Sequence, residues 1–452
     1  MARTAKGFSR SSPAVERASA ADRAFLAMDR GYVPDQFGVI LLLDQNSGFD
    51  LAHVRRVIAE RLPGVPRLRQ RLIRTPFGCG GPIWIDDSQF NISSHVRAVT
   101  CRDPGHESAL LELALSVIET PLPRATPLWA AVLITGLADR REALVFVVHH
   151  VLADGVGGLA ALASLVDGRP SPDSACFPAP VPSATTLASD ALLSRLRALR
   201  NVPHSWHLLR TSMSAGGGLR PPRAEACSLN QRTGRRRSLA VVHADLAVLR
   251  AAAHSHRATV NDAVLVAAAD ALRRVLLARG ESLDTIVIAV PVSGRERGNE
   301  HALGNMVSPM LVPVPAAGGM ADRLEQVAAQ VRASKAAATG PAPIAVLGWL
   351  FRPLAALGGY HWYMNHQHRL HTLVSHVRGP AEQLMFGGST VISAIPASVG
   401  EAGNVAIYFD VLSYAGTLTI TVITDPGQFP GLGTLTDALR AELDLISHLP
   451  AD

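Results

Sequence analysis

The sequence predicts a mixed α/β (α+β) protein made of two folded halves around a long connection. Three observations carry that expectation. Strand-like and helix-like runs alternate as far as Val166. A Pro-, Ser- and Arg-rich break follows from Asp167 to Ser238. A second alternating series starts near Leu239 and runs to the C-terminus. The length of 452 residues suits two to three domains at roughly 150 residues each. With 48% hydrophobic and 18% charged residues, the chain can bury large cores. The expected units are residues 1–180, an Arg-rich connection over 181–238, and 239–452.

In the first half, Phe37 to Leu43 (FGVILLL) is an apolar run of strand length, and Leu51 to Leu62 has helical spacing. Ile83 to Ile85 and His95 to Val99 read as short strands, and Ser108 to Glu119 as an amphipathic helix. Trp129 to Ile134 and Ala143 to Val148 are two β-rich runs, and Val156 to Val166 is a helix that starts among glycines. In the connection, Leu192 to Ser238 holds ten arginines and one acid, Glu225.

In the second half, Leu246 to His254 and Val260 to Ala278 read as helices, and Thr285 to Pro291 as a buried strand. Met310 to Val314 and Val391 to Ile395 are further strands. Val405 to Tyr408 and Leu418 to Ile423 are expected to pair around Ser413-Tyr414-Ala415-Gly416, and Leu435 to Leu449 to close the chain as a helix.

Composition excludes several classes. The net charge is +6, but the only lysines are Lys6 and Lys335, whereas a nucleic-acid binder more often mixes both basic residues along one element. Cys79, Cys101, Cys176 and Cys227 are widely spaced, which argues against a disulfide framework or zinc cage and suits a reducing compartment. Arg3, Lys6 and Arg10 precede no apolar run, so no cleaved secretory signal is expected. The nearest approach to a spanning segment, Ile344 to Leu357, is cut by Arg352-Pro353. There is no Gly-x-Ser-x-Gly elbow and no Gly-x4-Gly-Lys loop. His361, His366, His368, His371 and His376 lack an acidic or cysteine co-ligand, so no metal is expected there.

The sharpest signal is Phe146-Val-Val-His149-His150-Val-Leu-Ala-Asp154-Gly155-Val-Gly157-Gly158. A buried strand delivers two histidines to its end, and adjacent strand residues point to opposite faces. One imidazole can therefore meet a cleft while the other packs. Asp154 falls at the turn, where its carboxylate can fix the loop or orient an imidazole. Histidine is the natural general base near neutral pH.

His149-His150-x-x-x-Asp154-Gly155 resembles the HHxxxDG motif of CoA-dependent acyltransferases, a superfamily that includes chloramphenicol acetyltransferase and peptide-synthetase condensation domains. Flanking residues resemble one branch, the bacterial wax ester synthase/diacylglycerol acyltransferase family. These are Pro127-Leu128-Trp129, Asn261-Asp262, Pro291-Val292-Ser293-x-Arg295, Gly304-Asn305, Gly379-Pro380 and Ser413-Tyr414-x-Gly416, in the family's order. Ser19-Ala-Ala-Asp22-x-x-Phe25-Leu26 is similar to its N-terminal segment. The chain departs from the pattern at Ala20 (usually Pro), at Pro123 (usually Asp), and at His376 and Arg378 within the segment that usually reads SNVPGP.

The resemblance implies two chloramphenicol-acetyltransferase-like domains with the active-site channel between them. It makes His150 the general base on an alcohol that attacks an acyl-CoA thioester, with no covalent intermediate and no cofactor beyond acyl-CoA as substrate. It gives His149 a supporting role, and Asp154 with Gly155 a structural one, with Arg295 as the ion-pair candidate for Asp154. Asn261, Asp262, Ser413, Pro127 and Trp129 become substrate-channel candidates; Asn261-Asp262 can equally cap the helix they open. The implied product is triacylglycerol from diacylglycerol, with wax esters from long-chain alcohols as an overlapping activity. Two alternatives are a polyketide-type lipid alcohol acylated from CoA or a carrier protein, and an inactive lipid-surface binder. The expected setting is cytoplasmic, as a monomer or weak dimer bound peripherally to the membrane's inner face or to lipid droplets. The lipid contacts would come from Leu192 to Arg210, with Arg195, Arg197, Arg200 and Trp206, and from Ile344 to Leu357, with Trp349 and Phe351.

Overall fold

The computed structural model describes residues 15–44, 49–168, 177–200, 223–293, 305, 307–337 and 351–450. Its strands in chain order are β1 (Gln36–Leu43), β2 (Gln70–Ile73), β3 (Ile83–Asp86), β4 (Val96–Thr100), β5 (Trp129–Thr135), β6 (Glu142–His149) and β7 (Ser238–Asp245). They continue as β8 (Thr285–Ser293), β9 (Val307–Pro315), β10 (Thr372–Arg378), β11 (Met385–Phe386), β12 (Ser389–Ser398), β13 (Ile407–Tyr414) and β14 (Thr417–Thr424). Two six-stranded sheets form, ordered β11-β12-β1-β6-β5-β4 and β7-β14-β13-β10-β8-β9, with β2 and β3 as a small separate pair.

The chain does not fill these sheets in sequence order. β12 pairs antiparallel with β1 from Phe37↔Ser398 to Leu43↔Val391, so residues of the expected second unit complete the first sheet. The far end of β12 reaches the second sheet, where Thr421 Oγ1 donates to Pro396 O. The expected division at residue 239 is therefore crossed twice, by the segment that leaves the second sheet after β10 and returns in β13. β1 can sit between β6 and β12 because it is apolar on both faces, and Gly38 admits the neighbouring strand: a Cβ there would lie 2.8 Å from Phe146 O.

Helices cover the sheets. Val260–Ala278 is buried along most of its length. Its Asp270 is held by both terminal nitrogens of Arg323, at 2.5 and 2.6 Å, which ties it to the helix Met320–Ala337. In the first half, Leu51–Arg61 and Glu107–Glu119 bury their apolar stripes on the sheet, near the expected boundaries. The connection is not bare. Ala184–Arg200 is a helix, anchored by buried Leu187 and Ala191 and by the Arg17–Asp190 ion pair.

Some expectations shift. The strand expected over Val405 to Tyr408 runs on to Tyr414, so Ser413 and Tyr414 are strand residues and only Ala415-Gly416 turns, both at positive φ. Of the histidines weighed as metal ligands, His376 lies in the central strand β10 and His371 immediately precedes it. His371 is fully buried, accepting from Val287 N–H at Nδ1 and donating from Nε2 to Glu225 O. Among the described residues, no three His, Cys, Asp or Glu side chains come together as metal ligands.

Candidate active site

β6 ends at His149, and His150 begins the turn that leads to the helix Gly155–Ala163. The two histidines are fixed by backbone bonds on opposite sides. His149 N–H donates to Leu128 O at 3.1 Å, and His150 N–H to Asp35 O at 3.0 Å.

His149 is buried and fully bonded. Its Nδ1 accepts from Val151 N–H, so Nε2 carries the proton and donates to Asp29 Oδ2, each at 3.0 Å. Burial alone would raise the Asp29 pKa. The bond from His149, with those from Asp35 N–H and Arg124, outweighs it and holds the carboxyl well below its usual range. Both ring nitrogens of His149 are thus committed.

His150 is placed differently. Its ring lies against Phe25, stacked at 5.3 Å, and Phe37, tilted at 4.6 Å. The side chain keeps 29% of its surface accessible. Nδ1 is buried without a partner, and Nε2 faces Asp35 Oδ1 at 4.0 Å, too far for a hydrogen bond. Burial pulls the imidazole down to about 4; the neighbouring His149 acts the same way and Asp154 opposes. The ring is neutral at pH 7 and can take a proton on Nε2.

Asp154 is the N-cap of Gly155–Ala163, and its Oδ1 accepts from Gly157 N–H at 2.9 Å. Arg295 lies outside the described residues. The glycines that follow are there for fit. A Cβ on Gly155 would meet Val377 of β10 at 3.1 Å, and one on Gly158 would meet the Phe37 ring at 2.8 Å.

The second half reaches the same point. Asn305 Nδ2 donates to His150 O at 2.6 Å and to Asp22 Oδ1 at 3.2 Å. Asp22 in turn closes a capping box with Ser19. Three of the quoted segments therefore meet at the Asn305 amide. From Phe37, the same face of β1 continues through Val39 and Leu41 into a narrow slot with no polar surface. Leu159 and Leu162 form its helical wall, and Pro380, Leu412 and Tyr414 close it from the second half.

Other sequence candidates fall elsewhere. Pro127 and Trp129 are buried; the indole N–H donates to Leu68 O at 2.7 Å and the ring stacks on His95, so Trp129 is a core side chain. Thr259, not Asn261, caps Val260–Ala278, and Asp262 closes its capping box. Asn261 and Asp262 make no hydrogen bond with either histidine among the described residues. Ser413 is buried, and its carbonyl accepts from Gly379 N–H at 2.9 Å beside the slot. Ala20 takes the first helical position, where a proline is equally at home. Pro123 is exposed. His376 sits in β10 with Nε2 buried and unpartnered; burial, then Arg378 and Lys335, pull its pKa to about 4. Asp29 and Asp35 were not singled out from the sequence. Their one sequence signal is position: they bracket the loop between the helix that carries Asp22 and Phe25 and strand β1.

The wax ester synthase/diacylglycerol acyltransferase catalytic domain matches residues 18–264, and the C-terminal domain of that family matches residues 303–447. The chain belongs to this family. It is an acyltransferase. A Mycobacterium tuberculosis relative whose name places it among the diacylglycerol O-acyltransferases is 29% identical over 408 residues, covering 86% of each chain. The wax ester synthase/diacylglycerol acyltransferase from Marinobacter aquaeolei VT8 shares the fold at a TM-score of 0.64 and 23% identity, over 95% of this chain and 98% of that one. The first condensation domain of the calcium-dependent antibiotic synthetase is similar in fold alone, at a TM-score of 0.66 and 18% identity over 97% and 98%.

Proposed function

We propose that this acyltransferase moves the acyl group of an acyl-CoA onto the hydroxyl of a lipid alcohol, with diacylglycerol as the main acceptor and long-chain alcohols as an overlapping one. The observation that carries the reading is the position of His150 Nε2. His150 is a neutral base whose backbone carbonyl is bonded by Asn305 of the second half and whose ring packs on Phe37, and the Phe37 face of β1 leads through Val39 and Leu41 to the apolar slot. Nε2 takes the hydroxyl proton as the oxygen adds to the thioester carbon. Collapse of the adduct expels the CoA thiolate, which takes that proton back. His149 cannot share this task, because both its nitrogens are committed.

Arg295 is proposed as the cation facing Asp154, and Asn261 and Ser413 as channel residues. Peripheral membrane binding belongs to the same reading. No described helix is long and apolar enough to cross a membrane. The end of Ala184–Arg200 exposes Leu192, Leu193 and Leu196 beside Arg195 and Arg197, and Leu354, Leu357 and Trp362 are exposed as well. Arg210, Trp206 and Trp349 lie outside the described residues. A monomer or weak dimer suffices, because one chain supplies both walls of the site.

The test is thiol release from palmitoyl-CoA with and without diolein, followed by lipid product analysis over a panel of acceptors. Triacylglycerol formation with acceptor-dependent thiol release supports the reading. Thiol release that no acceptor increases removes it.

A further inference from the structure

The mechanism leaves one carboxyl unused at the reacting nitrogen. Asp35 lies in the loop before β1, and its backbone is bonded at both ends: its N–H donates to Asp29 Oδ1 at 3.1 Å, and its carbonyl accepts the His150 N–H. The side chain is therefore held at a fixed place relative to the imidazole. Oδ1 faces Nε2 at 4.0 Å, and Oδ2 is buried with no hydrogen-bond partner. The spacing is too wide for a direct bond, so neither group is spent on the other. Among the described residues no cation is paired with Asp35, whereas Asp29, six residues earlier, is bonded by His149 and paired with Arg124.

We propose that Asp35 is a catalytic residue of acyl transfer, and that its carboxyl O–H donates to the oxyanion formed when the acceptor oxygen adds to the thioester carbonyl. The atoms balance. The acceptor O–H gives its proton to His150 Nε2 while the new C–O bond forms and the carbonyl pair moves onto oxygen. Asp35 donates a hydrogen bond to that oxygen and keeps its proton. The C=O re-forms, the C–S bond breaks, and the thiolate takes the proton from Nε2. A donor aimed at the oxyanion rather than the ground-state carbonyl is worth roughly 10²–10³ in turnover.

The surroundings favour the acid form of this carboxyl. Burial raises its pKa well above the usual carboxylate value, and Glu401 and Asp29 add to the effect. Among the described residues, the titratable groups around it fit this assignment. Asp29 is ionised, and His150 is neutral on the side of β6. From the second half come Glu401, itself raised by burial, and Tyr360, whose O–H donates to Glu401 Oε2 at 2.8 Å. Arg124 is spent on Asp29. An acceptor-only Asp35 carboxylate would repel the oxyanion, so activity must fall as pH rises through the raised pKa of Asp35.

The proposal rests on the acyl-transfer reading, and its test separates the two. The full-length protein is assayed with palmitoyl-CoA and diolein between about pH 5 and 9, as wild type, Asp35→Asn and Asp35→Leu. Asp35→Asn keeps an N–H donor that does not titrate; it is expected to stay within about tenfold of wild type and to lose the alkaline fall. Asp35→Leu is expected to lose roughly 10²–10³ in kcat with the KM for palmitoyl-CoA unchanged. Its melting temperature should be equal or higher, because a buried unpartnered oxygen is removed. Wild-type turnover in Asp35→Leu overturns the proposal. So does Asp35→Asn as inactive as Asp35→Leu, or an alkaline fall that persists in Asp35→Asn. Wild-type protein with no acceptor-dependent thiol release overturns the acyl-transfer reading as well.

Discussion

His150 is held between Phe25 and Phe37, and this apolar clamp makes it a base over an unusually wide range. Protonation is suppressed until about pH 4, against about 6.5 for a free imidazole. The folded pKa is lowered, so the neutral, active form is lost only as pH falls through the lower value. The acid limb of kcat/KM for His150 should lie well below 6.5. His150→Ala should lose about 10²–10⁴ in turnover with melting preserved, and His149→Ala should lose less. Equal losses in the two variants would end the division of labour between them. Asp29 titrates in the opposite sense for stability. Its folded pKa is depressed, so its contribution is present above the ordinary carboxylate value and is lost as pH falls through the folded one. Melting curves of Asp29→Asn should thus be less acid-sensitive than wild type below about pH 4. The sequence made His149, His150 and Asp154 legible because all three lie within six residues of one another. Asp29 and Asp35 were not, because each acquires its meaning from a histidine far along the chain that only the fold brings near.

The helix after the histidines shows what was legible at the scale of elements. Its glycines read as a helix start, and Asp154 is indeed its N-cap. Asp154→Ala should cost about 1 kcal/mol for the lost cap alone, with activity falling in step. Wild-type melting with no activity would instead put Asp154 in the proton path. Gly158 is a packing requirement of the site. A methyl group there presses on Phe37 at 2.8 Å, and Phe37 rests on the imidazole. Gly158→Ala should cost about 1–3 kcal/mol in stability and lower turnover as well; full activity with unchanged melting would show that the ring gives way freely. An amphipathic helix such as Glu107–Glu119 could be read to within a residue because its burial recurs at helical spacing. β10 could not. Its Ser375, His376 and Arg378 look like site residues, and strand pairing overrode their low apolar content.

For the molecule as a whole, two α/β halves and a connection were legible from composition, but sheet membership was not. An apolar run states that a strand is buried on both faces without stating beside which strand it lies. The lipid surface is the other property at this scale. Each arginine near an anionic bilayer is worth on the order of 1 kcal/mol, screened by salt. Vesicle co-sedimentation should therefore fall at high salt and in the Arg195→Gln, Arg197→Gln, Arg200→Gln triple variant. Equal pelleting of the two proteins would remove this helix from the interface.

The pairing of β1 with β12 sets a timetable for synthesis. β6 follows β1 closely and covers one of its edges as soon as residue 149 has emerged. The other edge, seven residues of nearly unbroken aliphatic strand, waits for Ser389 to Ser398. At about 5–20 residues per second, those roughly 240 further residues take on the order of 10 to 50 seconds. Through that interval the nascent first sheet presents an open, apolar edge of the kind that invites pairing with other chains. Soluble yield should thus be governed less by the stability of the finished protein than by how long this edge stays uncovered on the ribosome.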